Sequence, residues 1–374
     1  MLQTNCVAIY MRSLFFLQLL SRLHGSVVIL PDDYIWRTTG SAWFEGRDAD
    51  VAFNGYSEDC NREFSTDNLL DLTSHPSKND QHANLMAVFN ALDGLNWKRN
   101  DNWGIGDPCF QGWYGVVCDC NGDVVRISLV DNALSGNLPP QLGQITHLSE
   151  IYLQTSLRSS QGYLNPSPNQ ITGSMPSLSD LRYLRVLDVS LNKVTSLPSD
   201  IRLNTNLEVL SASGNLLTSL PTDIGQLVKL KVLELNDNNI SAVFPISDIC
   251  QMTKIYVFNI GNNSFSGPLF HACLLLLNPL VFDVAGPHPT AVGSYNLLSG
   301  SFSKTVIQGW TNINGGYLSV YQQFGLTGDI PDACLDLRFC YTSNFNAHGN
   351  LAWIAGNPGD VPDIVYETIN LATQ

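Results

Sequence analysis

The chain has 374 residues, 44% of them hydrophobic, a size that admits one large or two ordinary domains. Its formal charge is −14, and only 14% of its residues are charged. That balance disfavours a nucleic-acid partner, which binds a basic face, and it is repelled by anionic membranes. In chain order, Met11 and Arg12 precede an apolar run, Leu14–Leu20, and Gly25 and Ser26 follow as small cleavage-site residues. The run is too short to span a bilayer, so residues 1–26 read as a secretory leader. No other window holds eighteen apolar residues, and "CLLLLNPLVF" is broken by Pro279. A secreted, extracellular location and no transmembrane segment are expected. Eight cysteines follow the leader: Cys60, Cys109, Cys118, Cys120, Cys250, Cys273, Cys334 and Cys340. An even number fits an oxidising compartment. Residues 27–80 match no repeat and are expected to form a partly disordered or separately docked extension.

Residues 81–125 place Leu85, Val88, Phe89 and Leu92 on one side of a helix. The stretch "CFQGWYGVVCDC" follows at 109–120. A zinc site wants paired ligands with a second pair downstream, whereas here a C-x-C follows a single Cys with no His nearby in sequence. No C-x-x-C redox motif is present. The segment therefore reads as structural, and neither a metal nor a cofactor is expected.

From Arg126 the chain repeats. "RVLDVSLNKVTSLPSDIRLNTNL" (185–207), "EVLSASGNLLTSLPTDIGQLVKL" (208–230) and the units around them share the skeleton LxLxxNxLxxxLPxxLxxLxxL. Strand side chains alternate between two faces, so Leu187/Val189, Leu210/Ala212, Leu233/Leu235 and Phe258/Ile260 face the core. The next Asn of each unit (Asn132, Asn169, Asn192, Asn215, Asn238, Asn263, Asn296) falls where the chain turns inward. Its amide is expected to satisfy backbone groups that cannot stay unpaired inside. About eight units are countable over 126–340, with 341–374 as a C-terminal cap or tail. The second and seventh units carry insertions between strand and Asn, at 154–168 and 286–295. The strand register of the eighth unit is ambiguous by one residue. Two flavours are mixed: "LPxxI" units 23 residues apart, and units with a Gly in "SGxL" or "TGxIP".

The skeleton resembles the leucine-rich repeat, and the Gly-bearing units resemble its plant-type extracellular form. Upstream, Trp103, Asp107, Pro108, Cys109, Trp113, Gly115, Val116 and Cys118 resemble the N-terminal cap of plant-type leucine-rich repeat proteins. The resemblance covers about residues 81–340. It implies an α/β solenoid, a right-handed horseshoe with a parallel concave sheet and a disulfide-stapled cap. The helix and Trp113 then cover the open core face of the first repeat, with a Cys109–Cys118 bridge pinning the segment. Cys60 is left as the upstream partner for Cys120. Cys273 and Cys334 occupy the slot of Ile201 or Ile224, either as small buried hydrophobes or as bridges. Cys250–Cys273 spans adjacent slots within disulfide reach, and Cys334–Cys340 offers a staple for the last repeat.

No HExxH, GxSxG or P-loop is present, the histidines are scattered, and no catalytic residue is assigned; the chain is expected not to be an enzyme. The central outward column reads Ser128, Tyr152, Asp188, Ser211, Glu234, Asn259, Asp283 and Ser319, beside a stripe of Val186, Val209, Val232, Val257 and Val281. Tyr256, Tyr317 and Tyr321 gather aromatics towards the end. The expected function is recognition of a protein or carbohydrate ligand through Tyr152, Asp188, Ser211, Glu234, Asn259, Asp283, Tyr317 and the rim loops. Two other expectations follow from the family resemblance: a structural component of an extracellular wall, as in cyst wall proteins of protists, and an inhibitor of a secreted hydrolase. Asn239-Ile-Ser and Asn262-Asn-Ser are acceptor sequons for N-linked glycans.

Overall fold

In a computed structural model of the chain, the described residues are 76–155, 168–269, 272–279, 281–284 and 296–301, with short strands at 34–36, 42–44, 55–56, 317–320, 325–327, 339–342 and 354–355. The chain divides into two units, Met1–Arg47 and Asp48–Gln374. The first contains an antiparallel pair, Tyr34–Trp36 with Ala42–Phe44.

The second unit is organised by one twelve-stranded sheet. Strands Val124–Ser128, Glu150–Tyr152, Val186–Asp188, Val209–Ser211, Val232–Glu234, Val257–Asn259, Val281–Asp283, Tyr317–Val320 and Phe339–Thr342 follow one another in parallel. Val116–Cys118 closes the front edge antiparallel to Val124–Ser128, and Gly55–Tyr56 pairs outside it. Ile354–Ala355 closes the far edge, again antiparallel. Leu318 pairs with Phe282 and Ser319 with Asp283, which fixes the register of the eighth unit. Phe339–Thr342 adds a further parallel strand that carries no LxL signature.

The period-two alternation sets the core. Leu187, Val189, Leu210, Ala212, Leu233, Leu235, Phe258 and Ile260 are buried in one continuous apolar column. In later repeats phenylalanines replace leucines, and Phe244, Phe258, Phe265 and Phe282 pack ring to ring at centroid distances of 5.2–6.2 Å. One buried Asn breaks the pattern. Asn204 stands in the slot that Leu227 fills in the next repeat, and its Nδ2 donates to the carbonyls of Leu178 and Leu181 at 2.8 and 3.0 Å.

Helix α1, Pro76–Ala91, covers the front of the solenoid. It begins five residues before the position read from the sequence, with Pro76 at its first position, where a missing N–H costs nothing. Leu85, Val88, Phe89 and Leu92 are buried beneath it. Trp97, Trp103 and Trp113 fill the angle between helix and first strand. Trp103 lies 5.0 Å from both of the other indoles and stacks on Phe89 at 5.5 Å. Each indole N–H donates to a backbone carbonyl, those of Leu92, Tyr114 and Ile105, so these rings are buried without an unpaired donor. Cys109 and Cys118 are disulfide-bonded with their Cα atoms 5.7 Å apart. Cys120 is also disulfide-bonded. Cys60, Cys334 and the side chain of Cys340 lie outside the described residues, as do the leader and most of both insertions.

The seven turn asparagines form a continuous hydrogen-bonded ladder. In each middle repeat Nδ2 donates to two carbonyls of its own turn and one of the repeat before, while Oδ1 accepts a backbone N–H of the preceding repeat. For Asn238 these are Leu235, Asn236 and Ala212, and the N–H of Leu217. Asn132, in the first repeat, bonds the backbone of Arg99 in both directions and so ties the ladder to the cap. Where the insertions interrupt the chain the ladder closes the gap: Asn169 N–H donates to Thr155 Oγ1 at 2.8 Å, and Asn296 Nδ2 to Val284 O at 3.0 Å. The residue before the ladder Asn takes positive φ in repeat after repeat: Asp131, Leu191, Gly214, Asp237 and Asn262. Gly, Asp and Asn tolerate that region; Leu191 is the exception.

A second sheet runs beyond the Asn turn. Ser135–Asn137, Gln170–Ser174 and Lys193–Ser196 form one three-stranded group, and Ser266–Pro268, Leu297–Ser301 and Gly325–Thr327 another; all but Lys193–Ser196, which belongs to an "LPxxI" unit, come from Gly-bearing units. The glycine permits close approach. At Gly136, φ is 130°, and an added Cβ would meet Ala91 O at 2.1 Å. Between the groups, the two units starting at Val209 and Val232 contribute no named strand, only an isolated bridge, Val243 to Ser266.

One expectation is corrected. Cys273 does not occupy the isoleucine slot: Leu274 fills it, fully buried, and Cys273 stands one residue earlier, bridged to Cys250 with Cα atoms 5.6 Å apart. Moving one residue along the 3-10 turn at Ala272–Leu276 takes the side chain out of the core and towards its neighbour one repeat before.

Candidate ligand-binding face

The sheet brings the sequence-derived column together in register. Ser128, Tyr152, Asp188, Ser211, Glu234, Asn259, Asp283 and Ser319 are successive Cα partners. Beside them run Arg126, Glu150, Val186, Val209, Val232, Val257, Val281 and Tyr317. Tyr317 therefore belongs to the valine row and not to the acidic column. Tyr321 lies outside the described residues.

At its centre the outward column is closed to water. Ser211, Glu234 and Asn259 are 1%, 0% and 3% exposed, and Val186, Val209, Val232 and Val257 are buried as well. Tyr152, Asp188 and Asp283 are half-buried. Alternation in sequence tells which side of a sheet a residue takes; it does not tell whether that side is open to water.

Burial at the centre is accompanied by hydrogen bonding, as it must be for polar groups. Ser190 N–H donates to Asp188 Oδ1 at 2.9 Å, Ser190 Oγ and Ser211 Oγ share a bond of 2.7 Å, and Ser211 Oγ donates to Glu234 Oε2 at 2.9 Å. Asp188 and Glu234, two strands apart, are thus joined through two hydroxyls. Ser190 was not singled out from sequence. It follows the core residue Val189, and the sole clue was a second polar residue one alternation beyond Asp188. Burial pushes the Asp188 carboxyl up to about 6, although its two hydrogen bonds to Ser190 pull the other way.

A charged rim borders the valine row. At the head of the valine row itself Arg126 pairs with Glu150, both largely withdrawn from water, and the rim proper includes Arg185, Glu208 and Lys231. Arg185 grips Glu208 with Nε at 3.3 Å and Nη2 at 3.1 Å, and Lys231 Nζ reaches the same carboxylate at 3.2 Å. Partial burial opposes ionisation there, but Arg185 and Lys231 hold the Glu208 carboxyl below its ordinary value. Burial raises the Tyr256 hydroxyl, which lies next in this rim row. His147, away from the face, stacks on Tyr183 at 5.8 Å. Among the described residues no group of three His, Cys, Asp or Glu is placed to hold a metal ion, and no helix is long and apolar enough to cross a membrane.

Residues 205–249 match the family model for leucine-rich repeats in two copies. The fold is a leucine-rich repeat solenoid. The receptor-like kinase TMK2 of Arabidopsis thaliana is 34% identical over 115 residues, 30% of this chain and 11% of that protein. A probable leucine-rich repeat receptor-like protein kinase of the same plant is 33% identical over 69 residues, 18% of this chain and 7% of that protein. The match thus spans about a tenth of these relatives' length. Among solved structures, a plant ice-binding protein superposes with a TM-score of 0.47 at 20% identity, covering 68% of this chain and 89% of that one. A TDR receptor gives 0.43 at 25% identity, covering 55% and 32%.

Proposed function

We propose that the chain is a non-catalytic extracellular recognition module whose ligand is a peptide or protein segment carrying basic side chains. The observation that carries this reading is the register of the central column, with carboxylates on alternate strands (Asp188, Glu234, Asp283) separated by Ser211 and Asn259. Alternate strands lie about 9.6 Å apart, so the three acids form an evenly spaced row that suits cations on an extended chain. The valine stripe alongside supplies apolar contact. Partial burial gives each ion pair more weight than it has at an open surface, provided that the ligand's cation is fully paired. Tyr152, Asp188 and Asp283 offer first contact. Glu234 is shielded within the chain and becomes available only on local opening.

The resemblance to segments of receptor-like kinases supports a receptor-type, extracellular role and leaves the ligand to the chemistry of the face. The test is selection from a phage-displayed random peptide library on the full chain and, in parallel, on the triple variant Asp188→Asn, Glu234→Gln, Asp283→Asn. Enrichment of Lys- and Arg-bearing peptides on the unmodified chain, and not on the variant, supports the proposal. Equal enrichment on both removes the acidic column from it.

A further inference from the structure

The two Asn-x-Ser sequons have the same sequence grammar and opposite geometry. Asn239 and Ser241 are both exposed on an outward alternation, with Ile240 buried between them. Among the described residues Asn239 is held by its backbone, through its N–H to Leu217 O at 2.9 Å and its neighbour Ile240 N–H to Asn263 Oδ1 at 3.0 Å. Asn262 is half-buried with φ of 48°, and its Nδ2, the atom a glycan would take, donates to Asp237 Oδ1 at 2.6 Å. The middle residue of that sequon is the ladder residue Asn263, fully buried and donating to Leu235, Ile260 and Gly261.

We infer that Asn239 carries an N-linked glycan in the folded protein and that Asn262 does not. The inference rests on the extracellular reading above, because the reaction requires a lipid-pyrophosphate-linked oligosaccharide as donor. In that reaction Nδ2 of Asn239 forms a bond to C1 of the first sugar, the bond from C1 to the pyrophosphate oxygen breaks, and the amide loses one proton as the lipid pyrophosphate departs. A second observation favours this position. Asn239 lies in the stretch where the second sheet is interrupted. The same slot one repeat earlier, about 4.8 Å away, holds Leu216, 45% exposed, and Val243 on the same alternation is 70% exposed. A glycan there shades these exposed apolar side chains.

The experiment expresses the full chain in a eukaryotic secretory host with an appended C-terminal acceptor sequon as reporter. Occupied sites are mapped by Asn-to-Asp conversion on enzymatic deglycosylation. The expected result is conversion at Asn239 and the reporter, none at Asn262, and loss of one gel-mobility step in both Asn239→Gln and Ser241→Ala but not in Ser264→Ala. A modified reporter with a bare Asn239, or conversion at Asn262 in folded protein, overturns the inference while leaving the extracellular reading standing. A bare reporter refutes the extracellular reading, and the inference with it.

Discussion

Replacing Asn215 by Ala tests the ladder, and its cost follows from which partners remain. Asn215 is 5% exposed, accepts Val194 N–H at 2.9 Å, and donates to Val189 O, Ala212 O and Ser213 O at 3.0, 3.1 and 3.2 Å. All three carbonyls keep another donor: Asn192 Nδ2 on Val189 O, Asn238 Nδ2 on Ala212 O, and Leu191 N–H on Ser213 O. Val194 N–H has no such reserve in this network and becomes a buried orphan. The loss is therefore that of one unsatisfied donor plus a small cavity, about 2–3 kcal/mol, and not four times that. For a domain of this size it corresponds to a fall in melting temperature of roughly 4–12 °C. Thermal unfolding followed by circular dichroism measures it, with Leu216→Ala as the exposed neighbour for comparison, expected within about 0.5 kcal/mol. Should the two variants melt together, the ladder would not be stabilising the turns and the energetic argument would fail.

Ser211→Ala removes the hydroxyl linking Ser190 to Glu234 in a buried site, so denaturant unfolding should show a loss of about 1–3 kcal/mol, whereas a solvated serine would show almost none. Cys109→Ser opens the cap bridge across a separation of nine residues and should cost about 2–3 kcal/mol, read as a lowered denaturant midpoint; an unchanged midpoint would remove the staple from the account. Asp188 binds its proton at about 6 when folded against 3.8 ordinarily, so the native state is penalised at neutral pH and regains stability as pH falls through that window. Asp188→Asn should therefore be more stable than the parent at about pH 7.5, with the advantage gone by about pH 4. A constant difference across pH would contradict the assigned cause.

Much of the fold was legible because its physics is periodic. The LxL alternation fixed which residues enter the core and, through the constant offset between repeats, aligned Asp188, Ser211, Glu234, Asn259 and Asp283 before any coordinates. Adjacent slots placed Cys250 within reach of Cys273. Features without that period were opaque. Phe339–Thr342 pairs as a strand although "FCYT" breaks the consensus, because pairing to Tyr317–Val320 satisfies its backbone whatever its side chains. The recurrent left-handed residue before the ladder Asn was written in the pairs Asp-Asn, Gly-Asn and Asn-Asn, yet Leu191 obscures it. Asn204 reads as a lost leucine until the carbonyls it caps are seen. Shielding of Glu234 is a tertiary matter on which strand alternation is silent.

The most direct test of the recognition account is calorimetric titration of one basic peptide, selected on the full chain, into that chain and into the Asp188→Asn, Glu234→Gln, Asp283→Asn variant. The account predicts saturable binding with 1:1 stoichiometry, weakened at least about tenfold in the variant, a change of about 1.4 kcal/mol. Equal affinity for both proteins would contradict it.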